Sequence, residues 1–254
     1  MGYVDRTYRR WPESELHSFQ VRIDESDLWI SAERPLPESA ERALRSIRED
    51  LEAYLERDLQ FARALRPRTP LPNAPAVVLD MADAARICDV GPMAAVAGAV
   101  AERVGRDLLA ETAQVIVENG GDIFIYTLLP RVAAIFAGES PLSGKLGIRI
   151  SRLGQPLGLC TSSGTVGPSL SFGRADAAVV LASSAALADA AATALGNRVQ
   201  EPGDIERALE LLDTIPGVLG GAVVMGEHLG AWGEVQLAPI KPSPGSPDEA
   251  VVSE

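Results

Sequence analysis

Asp189 and Thr193 lie four residues apart in Ala185–Asn197, AALADAAATALGN. On a helix that spacing stacks a carboxylate and a hydroxyl on one face. The pair suits a hard cation such as Mg2+, with carbonyl or ligand phosphate oxygens completing the shell. A purely structural pair on a buried helix is the plainer reading. Upstream, Thr161-Ser162-Ser163-Gly164-Thr165 is a short-chained polar turn. Backbone N–H groups in such a turn can converge on an anion. Cys160 directly precedes it, and the same dipoles would favour a thiolate there. An inert buried cysteine is the competing reading. Asn119-Gly120-Gly121-Asp122 separates two apolar runs. It reads either as a hairpin turn whose glycines take positive φ, or as a loop that admits a ligand to the backbone. In the second case Asn119 or Asp122 supplies the hydrogen-bonding end.

These groups need elements to hold them. Ala177–Ala182 is a short Val-rich apolar run, expected as a buried strand. Ser183 and Ser184 can cap the helix that follows, and Gly196-Asn197 marks its end. Val115–Val117 and Ile123–Tyr126 read as strands around the glycine turn. Gly91-Pro92 opens a helix in which Ala94, Ala97, Gly98 and Ala101 leave one side without bulk. Close helix packing explains that side, as does ligand approach. Earlier, Phe19–Ile23 and Leu28–Ile30 form a hairpin over residues 24–27, and 39–65 shows helical spacing. Residues 66–76 hold four prolines and read as a connection. Residues 77–89 read as a short helix, 132–136 and 147–150 as strands, and 205–212 as an amphipathic helix. Strands 217–225 and 232–237 close the chain around a turn containing Glu227-His228.

The chain has 254 residues, two cysteines, two histidines and a formal net charge of −12. That charge argues against general nucleic-acid binding, which depends on Lys and Arg. Cys88 and Cys160 are too few for a disulfide scaffold and fit a reducing compartment. His17 and His228 lack local partners, so zinc ligation has little support. No 18-residue apolar run occurs and the N-terminus carries no apolar signal core, so a cytoplasmic location without membrane contact is expected. Neither nucleotide-binding glycine fingerprint is present, and two histidines do not support a serine-protease arrangement.

Four segments, in chain order, resemble the ApbE superfamily, whose founding members are FAD:protein FMN transferases. Asp89-Val90-Gly91-Pro92-Met93-Ala94 is similar to that family's D-L-G-G-I-A segment. Val117–Ile123 is similar to V-N-L-G-G-D-I, and Thr161-Ser162-Ser163-Gly164 to its T-S-G turn. Ala188–Ala194 is similar to A-D-A-L-A-T-A. The texts GPMAAVAGA, SPLS and TSSGTVG bring the chain nearer a less characterised ApbE-like branch, associated by gene neighbourhood with homocysteine biosynthesis.

The resemblance implies an α+β fold of mixed or antiparallel sheets packed with helices. It implies one unit over residues 1–240, with an N-terminal arm at 1–16 and a disordered tail at 241–254. Asp189, Thr193 and the Ala94 carbonyl would hold Mg2+ against the pyrophosphate of FAD. Asn119, Gly120, Gly121, Asp122, Thr161, Ser162, Ser163 and Gly164 would line the flavin nucleotide. Partners would be that nucleotide and an acceptor or sulfur-pathway protein; the Ala/Gly-rich helices are compatible with a homo-oligomer. Two departures stand out. The family's lysine is Ala95 here, and its H-I-I-D-P-x-T-G motif is missing. Three readings follow: a transferase-like enzyme acting on FAD, a persulfide carrier using Cys160, and a non-catalytic binding protein that reuses the fold.

Overall fold

The computed structural model describes residues 16–165 and 172–240. The expected arm (apart from Leu16), the expected tail and most of the segment in place of the missing motif lie outside the described residues. The chain opens with strands β1 (His17–Ile23) and β2 (Ser26–Ala32), joined by the tight turn Asp24-Glu25. Helix α1 (Pro37–Arg57) follows, with Ala40, Leu44, Leu51 and Tyr54 buried along one face. The helix expected over 39–65 is broken at Asp58, because its carboxylate accepts the Phe61 N–H and starts α2 (Leu59–Arg63). The proline segment then leads to α3 (Ala76–Cys88). Pro92–Ala95 forms a single 3-10 turn ahead of α4 (Val96–Leu108).

Next come β3 (Val115–Asn119), β4 (Asp122–Tyr126), β5 (Arg131–Ala134), β6 (Leu146–Ile150), β7 (Leu157–Ser162) and β8 (Ala177–Ala182). Helices α5 (Ala185–Gly196) and α6 (Ile205–Asp213) lead to β9 (Val218–Met225), β10 (His228–Gly233) and β11 (Gln236–Pro239). Eight strands form one antiparallel sheet in the order β1-β2-β3-β4-β7-β8-β9-β10, and three form a second in the order β11-β6-β5. The α+β architecture expected from the sequence is therefore present.

The large sheet is covered on both faces. Helices pack on one face, burying Val117, Phe124, Cys160 and Val180 with Leu108, Ala188 and Leu195. On the other face Ile116, Ile125, Leu159, Val179 and Leu181 meet Ala133, Ile135, Ile148 and Ile150 around the small sheet. Double coverage explains why β8 is apolar at every position rather than alternating. It also explains the last strands. The apolar run expected as one strand over 232–237 is split, with Trp232 in the large sheet and Leu237 in the small one. The turn before it is Gly226-Glu227, and His228 is already in strand. No single helix among the described residues is long and apolar enough to cross a membrane.

Candidate functional site

Seven of the twelve residues of helix α5 are alanine, so its neighbours come very close. A Cβ added at Gly98 of α4 would overlap the Ala185 carbonyl and stand 2.9 Å from the Asp189 Cβ. The bare side of α4 thus serves close helix packing. Gly158 of β7 lies against Ser184 and Ala185 in the same way. The start of α5 is wedged between α4 and the sheet.

This wedge brings motif residues together from four parts of the chain. Asp189 Oδ2 accepts the Gly98 N–H at 2.9 Å, and the Ala97 N–H also reaches this carboxylate. In a regular helix the Gly98 N–H would serve the Ala94 carbonyl. Asn119 Nδ2, at the end of β3, donates to the Ala97 carbonyl at 3.2 Å. Asp122, at the start of β4, accepts the Thr161 N–H of β7 at 3.3 Å and lies beside Cys160. Gly120 and Gly121 have φ of +71° and +114° in the two-residue turn between Asn119 and Asp122, so the hairpin explains both glycines. Open space also borders both, so the backbone there is accessible.

The electrostatics are unusual for so small a cluster. Burial pushes the Asp122 carboxyl up to about 7, and the charge of Glu118 adds to the rise. Burial, then the charge of Asp122, push Asp189 well above the ordinary carboxylate range, against the pull of the Gly98 and Ala97 N–H groups. No ion pair of the described residues involves either carboxylate. Two inward-turned acids without a cation are a fit for a positively charged guest. Among the described residues no three His, Cys, Asp or Glu side chains group as a metal shell. A cation here would therefore need hydroxyl, carbonyl or ligand oxygens. Thr193, half-buried one turn beyond Asp189, is placed to offer one. His17 and His228 open β1 and β10, the two edges of the large sheet, so they cannot share a metal.

One expectation needs correction. The Thr161–Thr165 turn does not present a ring of free amides. Thr161 and Ser162 belong to β7, a strand the sequence reading left out. The Thr161 N–H goes to Asp122, that of Gly164 to the Ala175 carbonyl at 2.9 Å, and that of Thr165 to Ser163 Oγ at 3.1 Å. Gly164 is required because its backbone abuts that of Gly173. Of the two readings of Cys160, the geometry agrees with the inert buried one. It is fully buried, its Sγ donates to the Ala185 carbonyl at 3.4 Å, and burial followed by Asp122 and Asp189 pushes its pKa well up.

Glu102 was not singled out from the sequence. It sits on α4, 5% exposed, and its Oε2 accepts the Ala185 N–H at 2.7 Å and the Ala186 N–H at 3.5 Å. Arg106 holds the other oxygen at 2.7 Å. The available signal was the run Gly98, Glu102, Arg106 at four-residue steps, which places an acid beside the residue that must lack a side chain. The two cavities described, of about 250 and 280 Å3, lie elsewhere: one beside Arg149, Arg152 and Glu234, the other between the proline segment and α3.

The chain resembles known proteins over most of its length. A family model described as AbpE bacteria matches residues 9–211. The UPF0280 protein of Methanosphaerula palustris is 44% identical over 214 residues, covering 84% of this chain and 86% of the relative. That of Methanocella arvoryzae is 40% identical over 217 residues, covering 85% and 88%. Among solved structures, Flavin Transferase ApbE from Vibrio cholerae superposes with a TM-score of 0.59 at 11% identity, covering 86% of this chain and 97% of that one. The apo form of Pseudomonas stutzeri flavinyl transferase ApbE gives 0.55 at 14% identity, covering 86% and 94%. At these identities the structural likeness establishes the shared fold.

Proposed function

The chain belongs to the AbpE bacterial family, and on that premise we propose that it binds FAD with a divalent cation between the start of α4, α5 and the β3–β4 turn. The observation that carries this reading is the meeting of Asp122 and Asp189 with no cationic side chain paired to either among the described residues. Mg2+ is the cation of choice, because the donors on offer are all oxygens. Asp189, Thr193 and the Ala94 carbonyl would hold it. When bound, the ion would neutralise phosphate charge and polarise the pyrophosphate for attack. The Gly98 and Ala97 N–H groups fix the Asp189 carboxylate, so little reorganisation accompanies binding. Asn119 anchors the glycine turn to α4, leaving the open backbone of Gly120 and Gly121 to face the nucleotide. The solved structures of this fold include proteins named as flavin transferases. That supports a reaction at the pyrophosphate, with an acceptor protein or water receiving the FMN half.

The test is a titration of FAD with and without Mg2+. Binding should require Mg2+ and fall at least tenfold in Asp189→Ala, the usual scale for a lost metal ligand or its support. Equal binding by parent and variant would remove Asp189 from the site. A binding-only protein is the second reading, favoured by Ala95 in place of the family's lysine and by the missing H-I-I-D-P-x-T-G motif. It predicts Mg2+-dependent FAD binding with no release of FMN or AMP. The burial of Cys160 beside two acids counts against a persulfide carrier.

A further inference from the structure

An alanine helix packs smoothly. On α5 only Leu187 and Leu195 are large enough to interlock with neighbours, so ridges and grooves do little along the alanine face that carries Asp189. Helix α5 carries Asp189 on such a surface, yet the site requires that carboxylate at one place. On that face Asp189 is flanked by Ala185, Ala186 and Ala192, so side-chain bulk alone does not fix its place.

We propose that Glu102 is the positioning residue that sets it, through a reciprocal pair of helix caps between α4 and α5. Glu102 of α4 reaches across to the first amides of α5, at Ala185 and Ala186. Asp189 of α5 reaches back to the first amides of α4, at Ala97 and Gly98. Each carboxyl sits at the N-terminal end of the other helix, where backbone N–H groups lack intrahelical partners. Gly98 lets the two helix starts touch, so both caps close at once. Sliding α5 by one residue would break both. Arg106, bidentate on the far oxygen of Glu102, keeps that side chain extended toward α5. Glu102 touches no ligand in this scheme; it acts through the place it gives Asp189 and Thr193. The functional part of the inference rests on the FAD reading above, while the geometric part does not.

The experiment follows the Gly98 amide, which reports the Asp189 bond directly, in the proton–nitrogen spectrum of the full chain. Asp189→Asn sets the scale of the shift. In Glu102→Gln the Gly98 proton should move upfield by at least half that amount. Mg2+-dependent FAD affinity should fall about tenfold, as for lost supports of a metal ligand. Ser184→Ala is the control. Ser184 caps Leu187 of the same helix at 3.2 Å, so its loss weakens the start of α5 while leaving both carboxylate caps in place. It should leave Gly98 and the affinity unchanged. An unmoved Gly98 amide in Glu102→Gln, or an equal movement in Ser184→Ala, overturns the proposal. If the parent binds no FAD with Mg2+, the flavin reading fails and the Gly98 amide alone decides the lock. If Glu102→Gln does not fold, Arg106→Gln replaces it; a smaller upfield shift is expected, and no shift overturns the proposal.

Discussion

Two buried acids of this chain, Asp58 and Asp189, live under opposite rules. Asp58 joins α1 to α2. Burial alone would raise its pKa, but Arg68, the Phe61 N–H and the Tyr54 hydroxyl together hold it below the usual carboxylate range. Its bonds run at 3.1 Å to Phe61 and 3.2 Å to Arg68, and Tyr54 packs edge-on against Phe61 with ring centroids 5.2 Å apart. This is a corner made of large side chains and a neutralised charge. Asp189 has small neighbours, two amides and a second acid. The contrast separates an acid paired with an arginine from one with no cationic partner among the described residues.

The first way to break this contrast is by size. Gly98→Ala puts a methyl group into the Ala185 carbonyl and should cost about 3 kcal/mol, the upper range for an overpacked contact, as well as displacing Asp189. The same change at Gly120 meets open space and is strained only through its φ of +71°, so it should cost about 1 kcal/mol. Urea unfolding of both variants checks the ratio. A second way is by charge. Asp58→Ala removes an acceptor from Phe61, Tyr54 and Arg68 and should destabilise by about 2 kcal/mol. Asp122→Asn should stabilise the cation-free protein at pH 8, because it deletes an uncompensated charge. Two losses of similar size would erase the distinction between the regions.

The smallest effect is the pH dependence. The Asp122 carboxyl rises from 3.8 to about 7 on folding. The folded state therefore binds its proton more tightly than the unfolded chain. Its contribution to stability is complete below pH 4 and disappears as pH climbs through 7. Between pH 5 and 8 the melting temperature of the cation-free parent should fall by a few degrees more than that of Asp122→Asn. Mg2+ at pH 8 should restore the parent and leave the variant where it was. A parent that melts in parallel with Asp122→Asn across this range would mean that the carboxyl titrates normally.

Much of this was legible in the residues. Alternation and turn chemistry marked the first hairpin, and the Val-rich run marked β8. Ser184 and Asn197 bracketed α5 within a residue of its bounds. Asp189, Asn119 and Asp122 were named from local motifs, and the structure brings Asp189 and Asn119 to the start of α4 with Asp122 close enough to act on Asp189. What local text misjudged was the Thr161–Thr165 segment. Thr and Ser have turn chemistry by themselves, yet pairing with Val179 and Ala178 of β8 drew Thr161 and Ser162 into β7.

By itself the sequence determined most of the elements, because periodicity and capping act over a few residues. It determined the chemical type of the site, because carboxylates, hydroxyls and glycines keep their properties wherever they fall. Only the tertiary structure decided that Cys160 is sealed rather than activated, since burial and the approach of Asp122 and Asp189 come from distant segments. Only it decided that Glu102 caps a helix 83 residues away along the chain. Desolvation and charge–charge coupling are properties of a neighbourhood, and a neighbourhood exists only once the chain has folded.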